Sequence, residues 1–305
     1  MDGRFDVLLF GEALIDELPG GRVPGGAPFN VACHLGALGA RPLLVTRIGR
    51  DSEGRRLERT MQRRRLDRRG VQRDPSRPTA RVAVRLREDG PRFEIPRDQA
   101  FDGIDAEAAI AALGGAAPRI VYFGTLAQRS ATSRTALEAL LEASPGTRFL
   151  DANLRAPWYD RDVVHRSLQL ADVVKINEEE CTEIASLLEL APAGRGFRSA
   201  VTSRYHLSSI VVTRGARGAV QQDKNGFEIA TPPARRPTRV VDAVGAGDAF
   251  SAVLLLARLR GWTPETALLR ADAFARGVCR LRGAVPRRSS FYAHFLAEWK
   301  NGETA

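Results

Sequence analysis

The chain has 305 residues, 44% hydrophobic and 27% charged, a composition ordinary for a soluble globular protein and a length that suits one large α/β domain or two small ones. Its longest apolar run, Ala249 to Ala257 with Ser251 inside it, falls short of the roughly 20 residues that span a bilayer. The net charge is +10 and nearly all of the cations are arginines, the lysines being Lys175, Lys224 and Lys300. The start, MDGRFDVLLFGEALID, lacks the basic beginning, long apolar region and small-residue cleavage site of a signal peptide, so a cytoplasmic location is expected. Cys33, Cys181 and Cys279 lie far apart and in no CxxC pair, which argues against a disulfide framework or a zinc site and for buried thiols. The four histidines show no ligand spacing.

In chain order, Phe5 to Phe10 reads as a short apolar strand ending at Gly11. A Gly/Pro-rich loop, Pro19 to Pro28, leads into a helix. Pro28 suits its first turn, Phe29, Val31, Leu35 and Leu38 keep helical spacing, and Gly39 stops it. Gly25 and Gly26 sit just before this helix, where the missing Cβ lets a ligand approach the backbone, and Asn30 can offer a hydroxyl both a donor and an acceptor. Leu43 to Ile48 is a second strand, and Asp51 or Ser52 caps a basic helix carrying Leu57, Met61 and Leu66. Between Arg47 and Arg97 there are 17 arginines against 8 acidic residues. With no zinc-finger spacing or aromatic RNA-binding motif beside it, this charge reads as a solvated helix face, and a nucleic-acid partner is not expected.

After Pro75 and Pro78 the period changes to two. Val82, Val84 and Leu86 alternate with Arg81, Ala83, Arg85 and Arg87, Glu88-Asp89-Gly90 makes a turn, and Phe93 and Ile95 return, as in a β-hairpin packed on one face. From Asp105 strands and helices alternate. Helices at Ala106–Leu113, Ser133–Leu141, Val163–Leu170 and Glu179–Leu188 are interleaved with strands at Arg119–Phe123, Arg148–Asp151, Val173–Ile176 and Ile210–Thr213. A less regular stretch runs up to Ser208. Such alternation predicts an α/β fold, doubly wound, with a mainly parallel sheet and helices on both faces. Ligands then bind beyond the carboxyl ends of the strands. Polar residues gather there: Gly124-Thr125, Asp151 to Arg155, Asn177 to Glu180, Thr213 to Gly215, and Asp242 to Asp248.

The last of these reads as strand (Arg239 to Val241), glycine turn (Gly245-Ala246-Gly247) and helix (Ala249 to Leu259, stopping before Gly261). Unpaired N–H groups at such a helix start suit a phosphate. Asp248 beside them fits either a base for phosphoryl transfer or an ordinary helix N-cap. No Walker A sequence and no HRD or DFG set accompanies the glycines.

These segments together resemble the ribokinase-like, or PfkB, carbohydrate kinases, and look most similar to the fructokinase branch. Gly25 to Ala32 resembles the family's N-terminal signature and Asp242 to Phe250 its C-terminal one. Glu12 to Asp16 and Asp151 to Arg155 are similar to fructokinase segments, Asn177 with Glu180 fits an N-x-x-E element, and Thr213 to Gly218 fits the nucleotide loop. The resemblance runs from about Gly11 to Gly283 and implies a ribokinase-like domain over residues 1–305, with a small β lid from about 12–24 and 78–97. It implies ATP-dependent phosphorylation of a sugar hydroxyl, with fructose the leading substrate. Asp248 would take the hydroxyl proton, and the amides of Gly245, Ala246 and Gly247 would stabilise the transferring phosphoryl. Asp16, Gly25, Gly26, Asn30 and Arg155 would bind the sugar, and Asn177, Thr213, Gly215 and Gly218 the nucleotide. Asn177 and Glu180 would hold Mg²⁺ through water. Many relatives hold a monovalent cation such as K⁺ near the positions of Asp242 and Gly283-Ala284, and the sequence leaves that site open here. The lid would be shared across a homodimer.

The helix start would keep Asp248 ionised and therefore a weak base. Ala243 and Val244 stand where the family often has two threonines. Arg155 and Arg97 suit an acidic or phosphorylated substrate, although Arg97 also reads as solvated. A kinase of a sugar acid, sugar phosphate or nucleoside is the alternative. An inactive, Arg-rich nucleic-acid-binding protein is the reading from another class.

Overall fold

Strand β1 (Val7–Phe10) is apolar and buried at every position, the pattern of a strand covered on both faces. The computed structural model describes residues 5–18, 20–87, 90–192, 194–232 and 240–301. After β1 come β2 (Leu14–Leu18), β3 (Gly21–Gly25), α1 (Ala27–Ala37), β4 (Pro42–Gly49), α2 (Ser52–Arg63), β5 (Val71–Asp74), β6 (Arg81–Arg87) and β7 (Gly90–Glu94). The alternating part follows as α3 (Ala106–Leu113), β8 (Ile120–Phe123), α4 (Ala131–Glu142), β9 (Thr147–Asp151), α5 (Arg161–Gln169), β10 (Val173–Asn177) and α6 (Glu178–Leu188). The chain ends with α7 (Arg195–Arg204), β11 (Ser209–Thr213), β12 (Ala219–Asp223), β13 (Glu228–Ala230), α8 (Ala246–Arg260), α9 (Pro264–Val278) and α10 (Ser289–Asn301).

Among the described residues the main sheet has nine strands in the order β13-β12-β11-β10-β9-β8-β1-β4-β5. Its strands are parallel from β11 to β5, and β12 and β13 are added antiparallel at one edge. The pleat divides the side chains between two cores. Leu8, Phe10, Val121, Phe123, Leu150, Val174 and Val212 face residues of α3 to α7. Val7, Leu9, Tyr122, Phe149, Val173 and Val211 face α1, α2 and α8 to α10. The doubly wound, mainly parallel α/β sheet is therefore the one that the alternation predicts. The order in which strands are added reverses between β1 and β8, so a crevice opens at the carboxyl ends of those two parallel strands.

A second sheet, β3-β2-β6-β7, grows from the carboxyl end of β1. β2 pairs antiparallel with β3 and parallel with β6, and β6 pairs antiparallel with β7 as the period-two pattern predicts. Val82 is buried, whereas the side chains of Val84, Leu86 and Phe93 and the turn residues Glu88 and Asp89 lie outside the described residues.

Three readings change. The stretch up to Ser208 contains a full helix, α7, whose apolar contacts Phe197 and Val201 are too sparse to show a stripe in an arginine- and serine-rich segment. The short strands β5, β12 and β13 have too few alternations to be seen. Val240 and Val241 are not a strand: both are exposed, and the N–H of Val241 donates to Cys279 O at 2.8 Å, which ties the segment to the end of α9. Arg239 lies outside the described residues.

The C-terminal helices hold the crevice from behind. Phe274 on α9 packs edge-on to His34 (5.4 Å) and Phe295 (5.0 Å), and at 6.1 Å from Trp299. Its ring is fully buried. Phe274→Ala should lower stability by about 3–5 kcal/mol, the usual cost of an aromatic cavity, measured as a fall in the urea midpoint of unfolding.

Candidate active site

The glycine turn begins the site. Gly245 has φ 79 and is the N-cap of α8, so Ala246 and Gly247 open the helix and Asp248 is its third residue. The N-cap reading of Asp248 is thus overturned: its side chain makes no capping bond and accepts instead from Asn30 Nδ2 at 2.8 Å. A Cβ on Gly245 would stand 2.3 Å from the Ala284 Cβ, so only glycine lets the turn seat on the 283–285 loop. That loop is fixed twice. Asp242 accepts from Val244 N and Gly283 N, each at 3.0 Å. His34 Nε2 donates to Ala284 O at 3.1 Å and its Nδ1 accepts from the Tyr292 hydroxyl at 3.1 Å. A carbonyl can only accept, which places the proton on Nε2. Burial pushes the His34 pKa down to about 3, so the ring stays neutral.

The turn leaves donors open. Among the described residues, the N–H groups of Gly245, Gly247 and Asp248 have no protein acceptor, while that of Ala246 already reaches Ala243 O at 3.2 Å. Two of the three predicted anion donors are therefore open, Asp248 N joins them, and Ala246 is engaged in the turn.

A buried cation lies below. Lys175 on β10 pairs with Asp151 at the end of β9, at 3.0 Å, and both side chains are almost fully enclosed. Asp151 also accepts from Ser251 Oγ (2.6 Å) on α8 and from the Tyr122 hydroxyl (3.2 Å) on β8. A Cβ on Gly247 would lie 3.0 Å from the Lys175 ammonium, which places that charge just under the turn. Burial disfavours the ammonium, but Asp151 and then Glu180 outweigh it and hold its pKa above the ordinary value. None of Lys175, Ser251, Tyr122 and His34 is singled out by its sequence motif. The available signal for Lys175 was a lysine inside an apolar strand, Val173-Val174-Lys175-Ile176, in a chain that otherwise uses arginine.

Glu180 is buried at the start of α6. Its carboxylate accepts from Asn177 N and Leu154 N, each at 2.8 Å, while Asn177 Oδ1 accepts from Glu180 N at 2.8 Å. The pair is a capping box that also anchors the loop after β9, and burial raises the Glu180 pKa. No cluster of three or more His, Cys, Asp or Glu side chains placed to hold a metal occurs among the described residues.

On the opposite wall, β2 and β3 bring Asp16 over Gly25, where a Cβ would fall 2.0 Å from Asp16 Oδ2. A Cβ on Gly26 would meet Glu12 O at 2.5 Å, and Glu12 Oε1 accepts from Ala27 N at 3.2 Å. Burial raises the Glu12 and Asp16 carboxyls to about 7, with Asp248 adding repulsion and Arg155 relieving part of it. Asp248 itself is pushed up to about 6, first by burial and then by Asp151, against the opposing pull of Asn30, Lys175 and Arg155. The expectation that the helix start makes Asp248 a weak base is corrected: burial raises its pKa by more than the helix start lowers it. Asn30 Oδ1 is buried and, among the described residues, has no hydrogen-bond partner.

The structure thus draws Asp16, Gly25, Gly26, Asn30, Arg155 and Asp248 towards one crevice, with Asn177 and Glu180 at the neighbouring strand end. Thr213, at the tip of β11, donates to Ile176 O at 3.4 Å. Gly215 (φ 56) and Gly218 (φ 79) bracket a tight turn closed by Arg214 N to Gly218 O at 2.7 Å. Arg97 is exposed, 5.4 Å over the Trp158 ring.

The sequence profile described as pfkB family carbohydrate kinase matches residues 12–288. This chain belongs to that family. The kinase is 34% identical over 263 residues to a fructokinase of Salmonella typhimurium, covering 82% of this chain and 83% of the relative. A fructokinase from Xylella fastidiosa with bound ATP superposes with a TM-score of 0.82 at 22% identity, covering 96% of this chain and 99% of that one. A Vibrio cholerae O395 fructokinase in a form with bound fructose, ADP and calcium ion superposes with a TM-score of 0.77 at 27% identity, covering 97% and 100%. Sugar kinases of this family transfer the γ-phosphate of ATP to a sugar hydroxyl. Among the described residues, no helix of the kinase is long and apolar enough to cross a membrane.

Removing the Lys175 charge would strand Asp151 as a buried, unpaired anion. Lys175→Met should cost about 3–5 kcal/mol. Adding Asp151→Asn to it should restore much of the loss, read from urea unfolding of both variants.

Proposed function

We propose that this kinase phosphorylates fructose, with Asp248 as the base that receives the hydroxyl proton. The observation that carries this reading is the setting of Asp248: held at 2.8 Å by Asn30, raised to about 6, and flanked by open amides at the start of α8. A base works best when its pKa lies near the working pH, and this one does. The orphan Asn30 Oδ1 calls for a donor, and a sugar hydroxyl supplies one. Asp16 and Glu12 offer further acceptors on the same wall, and Arg155 moderates their charge. The fructokinases among the relatives favour fructose over a sugar acid, sugar phosphate or nucleoside.

In the transfer, the sugar oxygen forms a bond to the γ-phosphorus as the bond to the β–γ bridging oxygen breaks. ADP leaves with that electron pair, and the sugar proton passes to an Asp248 oxygen. The amides of Gly245 and Gly247, with Asp248 N, meet charge on the phosphoryl oxygens, and the Lys175 ammonium supports them from below. Thr213, Gly215 and Gly218 border the nucleotide. Both Glu180 oxygens already accept amide hydrogens, so Asn177 and Glu180 fit Mg²⁺ held through water and do not fit a direct protein cage. When bound, Mg²⁺ would neutralise phosphate charge. Asp242 is committed to Val244 N and Gly283 N, so a monovalent cation beside it would find one braced carboxylate on a fixed loop. The sheet β3-β2-β6-β7 carries Asp16 and is the lid over the sugar, and pairing of two lids would make the homodimer. A cytoplasmic location fits the requirement for ATP.

An ADP-release assay over a panel of sugars, sugar acids, sugar phosphates and nucleosides tests the substrate, and a preference for any of the last three classes over fructose overturns that part. Asp248→Asn should lower turnover by about 10²–10⁴-fold. Because its folded-state pKa is raised from 3.8 to about 6, Asp248 costs the fold nothing while both states keep the proton, and stability is lost as pH rises from 3.8 through about 6. The same variant should therefore be more stable at pH 8, by about 1–3 kcal/mol, in thermal unfolding. Full turnover in Asp248→Asn would sink the assignment.

The unprotonated carboxylate is the active form. The value of kcat/KM for the sugar should therefore fall below a limb between pH 6 and 7, the window set by Asp248 with Asp16 and Glu12. A flat profile down to pH 5 would contradict it.

A further inference from the structure

A cavity of about 810 Å³ opens on the α1–α2 side of the kinase, behind the loop that carries Gly283 and Ala284. Six arginines line it: Arg56, Arg59, Arg63 and Arg64 from α2 and its end, and Arg282 and Arg287 from the loop. Among the described residues, no aspartate or glutamate lines it. The spacing of Arg56, Arg59 and Arg63 puts them on one face of α2. The acidic residues of that helix are neutralised elsewhere, Glu58 by Arg73 at 2.6 Å and Glu53 by Arg22 at 3.2 Å. Arg56 donates to Arg22 O, and Arg64 donates to Val285 O (3.4 Å) and Pro286 O (3.3 Å). Among the described residues, the side chains of Arg59, Arg63, Arg282 and Arg287 have neither an ion pair nor a hydrogen bond. Phe29, Cys33, Ala37 and Tyr292 give the cavity an apolar floor.

A solvated basic face spreads its charges over convex surface. Here like charges converge on a concavity with low-dielectric walls, which focuses the field and raises the local concentration of anions. Guanidinium forks match phosphate oxygens in pairs, and four unpartnered forks exceed what one phosphate uses. The volume lies in the range of small-ligand sites. We propose that this cavity is a second anion site, separate from the glycine turn, that binds a small organic polyphosphate, the arginines taking the phosphates and the apolar floor its carbon part. The wall that offers Arg282 and Arg287 also holds Asp242 through Gly283 N (3.0 Å) and packs Ala284 against Gly245, so the two anion sites share one loop.

Inorganic tripolyphosphate is the probe, titrated calorimetrically at low salt into the full chain. The wild type should bind two equivalents, one at the glycine turn and one in the cavity. Gly247→Asp places a carboxylate at the turn and should keep the cavity equivalent alone. The triple variant Arg59→Ser/Arg63→Ser/Arg287→Ser should lose that equivalent, with affinity reduced at least about tenfold. Its sugar-kinase turnover should stay within about twofold of wild type, since these are surface positions. Arg282→Ser alone should weaken the same equivalent. A single wild-type equivalent that Gly247→Asp abolishes would overturn the proposal, as would a triple variant that binds like the wild type. A third contrary result is a single-stranded oligonucleotide of about 20 nucleotides that binds with steep salt dependence through these arginines while tripolyphosphate does not. The readout is binding, so it stands or falls independently of whether fructose is the substrate.

Discussion

The site rests on one buried charge. Lys175 is enclosed in the sheet, where an isolated ammonium would be driven to lose its proton. Asp151 keeps it charged, and Asp151 is in turn held by Ser251 and Tyr122. These four residues come from β8, β9, β10 and α8, so the pair fixes the helix start to three adjacent strand ends. A buried ion pair is poor evidence of net stability, because desolvation offsets much of its attraction. Its value here is position: a full positive charge lies under Gly247, where backbone amides alone would supply only partial charges.

The opposite wall carries the reverse tension. Glu12, Asp16 and Asp248 are three carboxyls in one enclosed crevice, each raised towards neutral pH chiefly by burial. Ionising all three costs folding energy, and hydrophobic replacements would make a more stable wall. Acids kept near their titration point accept protons readily, and crowded acceptors favour a ligand rich in hydroxyls. The same burial that costs the crevice folding energy therefore brings its carboxyls towards the range in which a proton is readily exchanged. Gly25 and Gly26 belong to this economy, since a side chain at either would displace Asp16 or Glu12 from the wall.

Much of this was legible in the sequence because it depends on local rules. Short apolar runs alternating with helical spacing identified most helices and, except for β5, the parallel strands of the main sheet, period two identified the hairpin, and the glycine turn announced the start of α8. What escaped depended on contacts between distant segments. Val240 and Val241 look like strand by propensity, but hydrogen bonds to Cys279 decide their shape. Asp248 looks like a cap by position, but Gly245 takes that place and Asn30, 218 residues away, takes the carboxylate. The ionisation of Asp248 was misjudged because a helix-end argument sees one neighbour, whereas burial sums over all of them. His34 gave no signal, because its function as a strut between α10 and the 283–285 loop exists only in three dimensions.

The replacement of two family threonines by Ala243 and Val244 looks at first like a weakening of the anion turn. The structure gives it a different weight. Val244 serves through its N–H, which reaches Asp242, and Ala243 through its carbonyl, which accepts from Ala246 N. Both contacts are made by the main chain and are indifferent to the side chain. Rigidity of the turn comes instead from Gly245 seated on Ala284, Asp242 bridging to Gly283, and His34 holding Ala284 O. Ala and Val at these positions leave the donors of Gly245, Gly247 and Asp248 where they are. The turn can therefore drift at residues 243 and 244, and it cannot drift at 242, 245 or 284.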